Sequence, residues 1–218
     1  MNELFPILAV ETSGELCSVA LLPDEKNFIE LNYSQKHIHS QKLIGMIETV
    51  LETAATELHG VKSIAVSMGP GSFTGLRIGL SAVKGIAFGA NLPIIPVPTF
   101  DAFAFHIGKY LPERTNFAIA VSANIEELYF ARFIKKQNEI EVLDELKLIG
   151  KKDLENILDS GEVVYGNVGG SGRVNPVIAP TAKSIGEWAY LYGKDLLTFD
   201  RDYIEPNYFK KFIVKVRR

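Results

Sequence analysis

The folding options of this chain are narrowed most by the stretch Val66-Ser-Met-Gly-Pro-Gly-Ser-Phe-Thr-Gly-Leu-Arg-Ile-Gly-Leu80, where an apolar run meets a glycine-rich turn and then a helical pattern. Residues 61–68 read as a buried strand, because Val61, Ile64 and Val66 are β-branched and no charge follows Lys62. Gly69, Gly71 and Gly75 around Pro70 permit positive φ or close backbone approach, and Ser72 or Thr74 can cap a helix beginning near Gly75. That helix also carries Gly79, Gly85 and Gly89. Each interior glycine costs about 1 kcal/mol relative to alanine, so the set requires a compensating gain. Gly75, Gly79, Ala82, Gly85 and Gly89 gather on one side, which predicts a neighbour at short range.

Two uses of the turn compete. A glycine turn feeding a helix N-terminus can cradle phosphate. However, no Lys-Ser/Thr pair follows the glycines, and Gly69, Gly71 and Gly75 miss the dinucleotide spacing by one residue. A tight strand-to-helix connection in a packed interface accounts for the pattern better.

With 218 residues, 47% hydrophobic and 22% charged, the chain can bury a core as one large or two small domains. A net charge of −3 argues against nucleic-acid binding by bulk electrostatics. Only the tail is basic, through Lys210, Lys211, Lys215, Arg217 and Arg218; a solvated end explains it more simply than an RNA contact. The single Cys17 lies in an apolar run and fits a reducing compartment. No leader pattern and no membrane-length apolar run is evident, so the expected location is cytoplasmic.

Residues 7–10 and 17–22 flank a polar turn and read as a β-hairpin, with a third strand at residues 27–32. Glu11, Thr12 and Ser13 crowd its tip with oxygen. They could hold Mg²⁺ and phosphate in a phosphotransferase, or simply make the turn. Residues 40–58 form a helix that Ser40 can cap, with Gly60 just beyond its end. Its apolar positions, among them Leu43, Ile44, Ile47, Val50 and Leu51, cover about half the circumference, whereas one core needs a stripe of roughly 100°. A second, outward surface is implied. His37 and His39 lack a third metal ligand and no His-Glu-x-x-His pattern occurs, so no metal site is expected.

Residues 92–98 read as a proline-edged strand and residues 99–110 as a helix, with a boundary at residues 111–116. The pattern then restarts: strands at residues 117–121, 128–133 and 140–148, a helix at 153–158, a strand at 163–165 and a helix at 184–197. Two copies of strand, strand, strand, helix, strand, helix predict two mixed-sheet α/β lobes. The second hairpin tip, Val121 to Glu127, has no Asp or Gly, and residues 166–172 are glycine-rich enough to face a nucleotide or to form a flexible loop. Without paired carboxylates for Mg²⁺, phosphoryl transfer lacks its charge clamp. An actin-like ATPase or small-molecule kinase using Glu11 and Thr12 stands as the enzymatic alternative.

The run from Met68 to Leu80, with Ile7-Leu-Ala-Val-Glu-Thr-Ser13, Cys17-Ser-Val-Ala-Leu-Leu22 and His39-Ser40, closely resembles the TsaB (YeaZ) family over about the first 110 residues. The resemblance thins later. Ser122-Ala123-Asn124 stands where that family usually has Asp-Ala-Arg, and Pro206-Asn-Tyr-Phe-Lys210 where it usually has Pro-x-Tyr-Leu-Arg. It implies a duplicated actin-like (ASKHA, RNase H-like) α/β fold, each lobe a mixed β-sheet flanked by helices. The lobes would be residues 1–110, carrying dimerisation helices, and residues 111–218, the smaller.

By the same resemblance the chain would be a non-catalytic assembly and activating subunit for N6-threonylcarbamoyladenosine formation at position 37 of tRNA. Its partner would be a TsaD-like transferase, joined by a TsaE-like ATPase. Alone it would form a homodimer, and it would meet tRNA only through the complex. No cofactor would be required, although ATP or ADP could sit at a partner interface. The implied partner-binding helical face comprises Leu43, Ile47, Val50, Leu51, Gly75, Arg77, Gly79, Ala82, Val83, Gly85 and Ile86. The candidate nucleotide or phosphate contacts are Glu11, Thr12, Ser13, Gly71, Ser72 and Thr74; no catalytic or metal-binding residue is expected.

Overall fold

The computed structural model describes residues 3–35, 37–137, 139–168, 172–177 and 180–209. Strands β1 (Ile7–Glu11), β2 (Leu16–Leu22), β3 (Ile29–Ser34), β4 (Ser63–Ser67) and β5 (Ile94–Val97) form one sheet in the order β3-β2-β1-β4-β5. β1 pairs antiparallel with β2 and parallel with β4, so the hairpin supplies one half and the crossovers the other. β1, β2 and β4 are buried along their whole length, which is why they read as continuous apolar runs rather than alternating ones.

The second sheet repeats this plan with β6 (Asn116–Ser122), β7 (Glu127–Lys135), β8 (Ile140–Gly150), β9 (Val163–Asn167) and β10 (Val174–Pro176). Its order, β8-β7-β6-β9-β10, has the same pairing senses: antiparallel within the meander, parallel from β6 to β9 to β10. Two mixed sheets of identical topology make this a duplicated α/β fold of the expected actin-like kind. β10 carries no apolar run and was not legible in the sequence pattern.

Helices α1 (His39–Thr53) and α2 (Phe73–Ala90) share one face of the first sheet, where Leu43, Ile47 and Val50 meet Val10, Val19, Leu80 and Val83. The opposite face is lined by Ala9, Ala20 and Ala65 and is covered by α5 (Ala182–Tyr192) through Ile185, Trp188 and Ala189. The alanines let this helix sit close: a Cβ on its Gly186 would press on Leu22 and Ala9. Helix α3 (Thr99–Gly108) packs Phe100 and Phe103 onto Phe117, Ile119 and Tyr129 of the second sheet. Chain order and packing therefore cross over, with α3 on the later sheet and α5 on the earlier one. His106 Nδ1 lies 2.5 Å from Ser184 Oγ where these two helices meet, and Lys109 pairs with Glu187.

Helix ends differ from the sequence expectation in instructive ways. Ser40 does not cap α1; Ile38 holds the N-cap position without a side-chain bond. The helix stops at Thr53 because Ala55 adopts φ 47°, and Ala55 N and Thr56 N donate back to Glu52 O and Leu51 O. This is the glycine-type stop made with alanine, so Gly60 ends only a following short turn at Leu58–Gly60. The helix expected at residues 153–158 is a single turn, α4 (Leu154–Ile157). Of the two N-caps considered for α2, Ser72 is the one that forms, its Oγ accepting from Gly75 N at 3.2 Å. The basic tail at residues 210–218 and Gly169, Gly170 and Ser171 of the later glycine loop lie outside the described residues.

Candidate functional site

Two features of the first lobe were singled out by sequence, the hairpin tip and the helical face, and the structure joins them through α2. At the tip, Glu11, Thr12 and Ser13 are all buried. Ser13 N donates to Glu11 Oε1, and Thr12 N reaches Ser67 Oγ at 3.5 Å. Burial pushes the Glu11 carboxyl from 4.5 up to about 7, against the lowering effect of hydrogen bonds from Ser13 and Ser67. Glu11 Oε2 and Thr12 Oγ1 have no hydrogen-bond partner.

The glycine loop packs against this tip. Ser72 N donates to Ser13 O at 2.6 Å, and Gly69 N, with φ 97°, donates to Thr99 Oγ1 at 2.8 Å. A Cβ on Gly71 would come within 3.0 Å of Ser13 O, one on Gly75 within 3.0 Å of Thr12 O, and one on Gly79 within 3.0 Å of Thr12 Oγ1. These glycines exist because the tip occupies the space beside them. A phosphate cradle needs free amides, and here Ser72 N and Gly75 N are already satisfied by the chain itself.

Glu11, Thr12, Ser13, Gly71 and Ser72, expected as nucleotide contacts, come together at this tip, and Glu11, Ser13 and Gly71 line a cleft beside it. Thr74 is exposed and stands apart from them. Among the described residues no group of three potential ligands could hold a metal ion. His39 is buried with Nε2 3.2 Å from Leu16 O, while His37 is exposed. Cys17, also buried, has its thiol pushed up to about 11 and is inert.

Of the residues expected on the helical face, Leu43, Ile47, Val50, Gly75, Gly79 and Val83 are buried inside the first lobe. They are not free to meet a partner, because the sheet already claims that side of both helices. Leu51, Ala82 and Ile86 are half-buried at the edge of this core, and Gly85 is exposed. Arg77 is exposed but engaged: its guanidinium carbon sits 3.8 Å from the centre of the Phe73 ring and its Nε donates to Tyr208 Oη at 2.8 Å. Tyr208 belongs to a C-terminal segment that crosses the loop, with Asn207 N donating to Met68 O at 2.7 Å.

What the two helices do present outward is Ile44, 50% exposed, and Phe88, 79% exposed, beside Gly45, Gly85 and Gly89. A Cβ on any of those three glycines would meet nothing within 4 Å. Ile44 and Phe88 were missed as site residues. Their signal was apolar character away from the buried stripe, at positions between Leu43 and Met46 and after Ala87.

Residues 30–153, more than half of the chain, match the family model described as TsaD: tRNA N6-adenosine threonylcarbamoyltransferase. The chain is 37% identical over 132 residues to the tRNA threonylcarbamoyladenosine biosynthesis protein TsaB of Haemophilus influenzae, covering 60% of this chain and 55% of that one. It is 34% identical over 149 residues to the protein of the same description from Escherichia coli, covering 68% and 63%. The chain belongs to this family, as a TsaB (YeaZ) member. It spans somewhat more than half the length of these two TsaB relatives. A solved Pseudomonas aeruginosa structure, described as similar to peptidase YEAZ, superposes with TM-score 0.77 at 24% identity, over 94% of this chain and 99% of that one. The TsaB fold thus extends through both lobes, including the second, where the sequence resemblance thins. Among the described residues no helix is long and apolar enough to cross a membrane.

Proposed function

We propose that this chain is a non-catalytic assembly and activating subunit for N6-threonylcarbamoyladenosine formation in tRNA, docking a TsaD-like transferase through the outward face of α1 and α2. The observation that carries this reading is the open side of those helices. Gly45, Gly85 and Gly89 have free space where a Cβ would stand, beside exposed Ile44 and Phe88. Glycines inside exposed helix turns weaken the helix by about 1 kcal/mol each. Close approach of another helix offsets that cost, as it lets backbones pack at short range. Without the transferase the same face meets a second copy of the chain about a two-fold axis, the commonest closed symmetry.

The non-catalytic part rests on the state of the hairpin tip. One Glu11 oxygen accepts from Ser13 N, Thr12 packs against Gly79, and among the described residues no group of three potential ligands joins Glu11 to hold the Mg²⁺ that an actin-like kinase would use. Any ATP or ADP belongs to the interface with a partner, a TsaE-like ATPase joins the assembled complex, and tRNA is met through that complex in the cytoplasm. The test is depletion of the chain followed by measurement of threonylcarbamoyladenosine in bulk tRNA. Loss of the nucleoside, restored by the wild-type chain and not by Phe88→Asp, is expected; unchanged modification overturns the proposal.

A further inference from the structure

Between the lobes lies a cleft enclosing about 80 Å³, lined from the first lobe by Glu11, Ser13 and Glu15 and from the other side by Phe100, Phe103 and Asn167. Pockets for drug-sized ligands run from roughly 300 Å³ upward, so this one suits a molecule of only a few heavy atoms. Its charge is one-sided. Two carboxylates line it, and no lysine or arginine does so among the described residues. A nucleoside polyphosphate is refused on both counts, since it is too large and would bring like charge to a carboxylate in a low-dielectric wall.

Glu11 is 1% exposed, faces this cleft, and has one carboxyl oxygen satisfied by Ser13 N while Oε2 has no partner. Leaving a buried acceptor unsatisfied is costly, and the cost is larger for a charged one. Phe100 and Phe103 line the opposite wall, which is uncharged among the described residues. We propose that the interlobe cleft is a binding site for a small ammonium-bearing molecule, whose N–H groups meet Glu11 Oε2. The actin-like plan is thus retained in this chain with its cleft converted from phosphate to cation recognition. This site is separate from the helical face, so its failure leaves the docking proposal untouched.

The experiment uses the isolated full chain, ¹⁵N-labelled, with methylammonium chloride as the probe at pH 8. Burial holds the Glu11 carboxyl near 7, so it is ionised there. Saturable shifts of the Gly14 and Asn167 amide signals are expected with methylammonium, at least tenfold weaker in Glu11→Gln. Sodium chloride at equal ionic strength, acetamide and Mg-ATP should leave those signals in place. Glutamine keeps an oxygen for Ser13 N and leaves the fold intact, which the unchanged remainder of the spectrum verifies. Equal response to sodium, equal binding by Glu11→Gln, equal binding of neutral acetamide, or saturable binding of Mg-ATP at these amides each overturns the proposal.

Discussion

The two halves of α2 carry the same kind of residue for opposite reasons. In the first half, Gly75 and Gly79 face Thr12 so closely that any side chain would collide with it. In the second half, Gly85 and Gly89 face open space. The first pair is explained by the lobe's own packing and the second is not. A glycine that its own fold does not require points to something outside the fold, and here it lies beside the most exposed aromatic ring of the helix, Phe88. The comparison separates what makes the lobe from what the lobe presents.

The largest effect is expected where the comparison is steepest. Gly75→Ala places a methyl against Thr12 backbone O, which cannot move without unpicking β1; a loss of about 3 kcal/mol or more in denaturant unfolding is expected. Gly79→Ala meets the Thr12 side chain instead, so adding Thr12→Ala should restore part of the loss there and none of it in Gly75→Ala. Tolerance of Gly75→Ala would mean that the tip does not fill the space beside α2.

Glu11 tests the same tip by charge. Its carboxyl is raised from 4.5 to about 7 by burial, so between those values the native state holds a proton that the unfolded chain has released. Stability should therefore fall as pH rises through that window and level off above it. Glu11→Gln should match wild type at pH 4 and exceed it at pH 8 by a few kcal/mol, at about 1.4 kcal/mol for each pH unit between 4.5 and about 7. A flat difference across pH would contradict a buried, charge-penalised tip. The smallest effect belongs to the second half: Gly85→Ala and Gly89→Ala should each raise stability by about 1 kcal/mol through helix propensity, read as an increase in Tm. A loss would show that these glycines are needed by the monomer after all.

Much of this architecture was legible in the sequence. Nine of the ten strands were legible, the buried ones as apolar runs because buried strands need β-branched and aliphatic residues throughout, and Ser72, one of two candidate caps, marks the start of α2. β10, with one buried residue, had no such run. The crossing of α3 and α5 between sheets could not be read either, since an amphipathic stripe states that a helix is covered and not by which sheet. The glycine stripe was visible, as Gly75, Gly79, Gly85 and Gly89 fall within an arc of about 120° at 100° per residue. Its division was not, because it depends on how far the Thr12 turn reaches along the helix. The outward face was misassigned to Leu43, Ile47, Val50 and Val83 for a related reason: apolar residues on both sides of a helix do not say which side the sheet takes.

The central claim is that the second half of α2, with α1, is an assembly surface. Its most direct test is the affinity of the purified chain for a purified TsaD-like transferase, measured by titration calorimetry for wild type and for the double variant Gly85→Leu/Gly89→Leu. The account predicts a variant with wild-type fold and at least wild-type Tm that no longer binds. A stably folded variant that binds with unchanged affinity would contradict it.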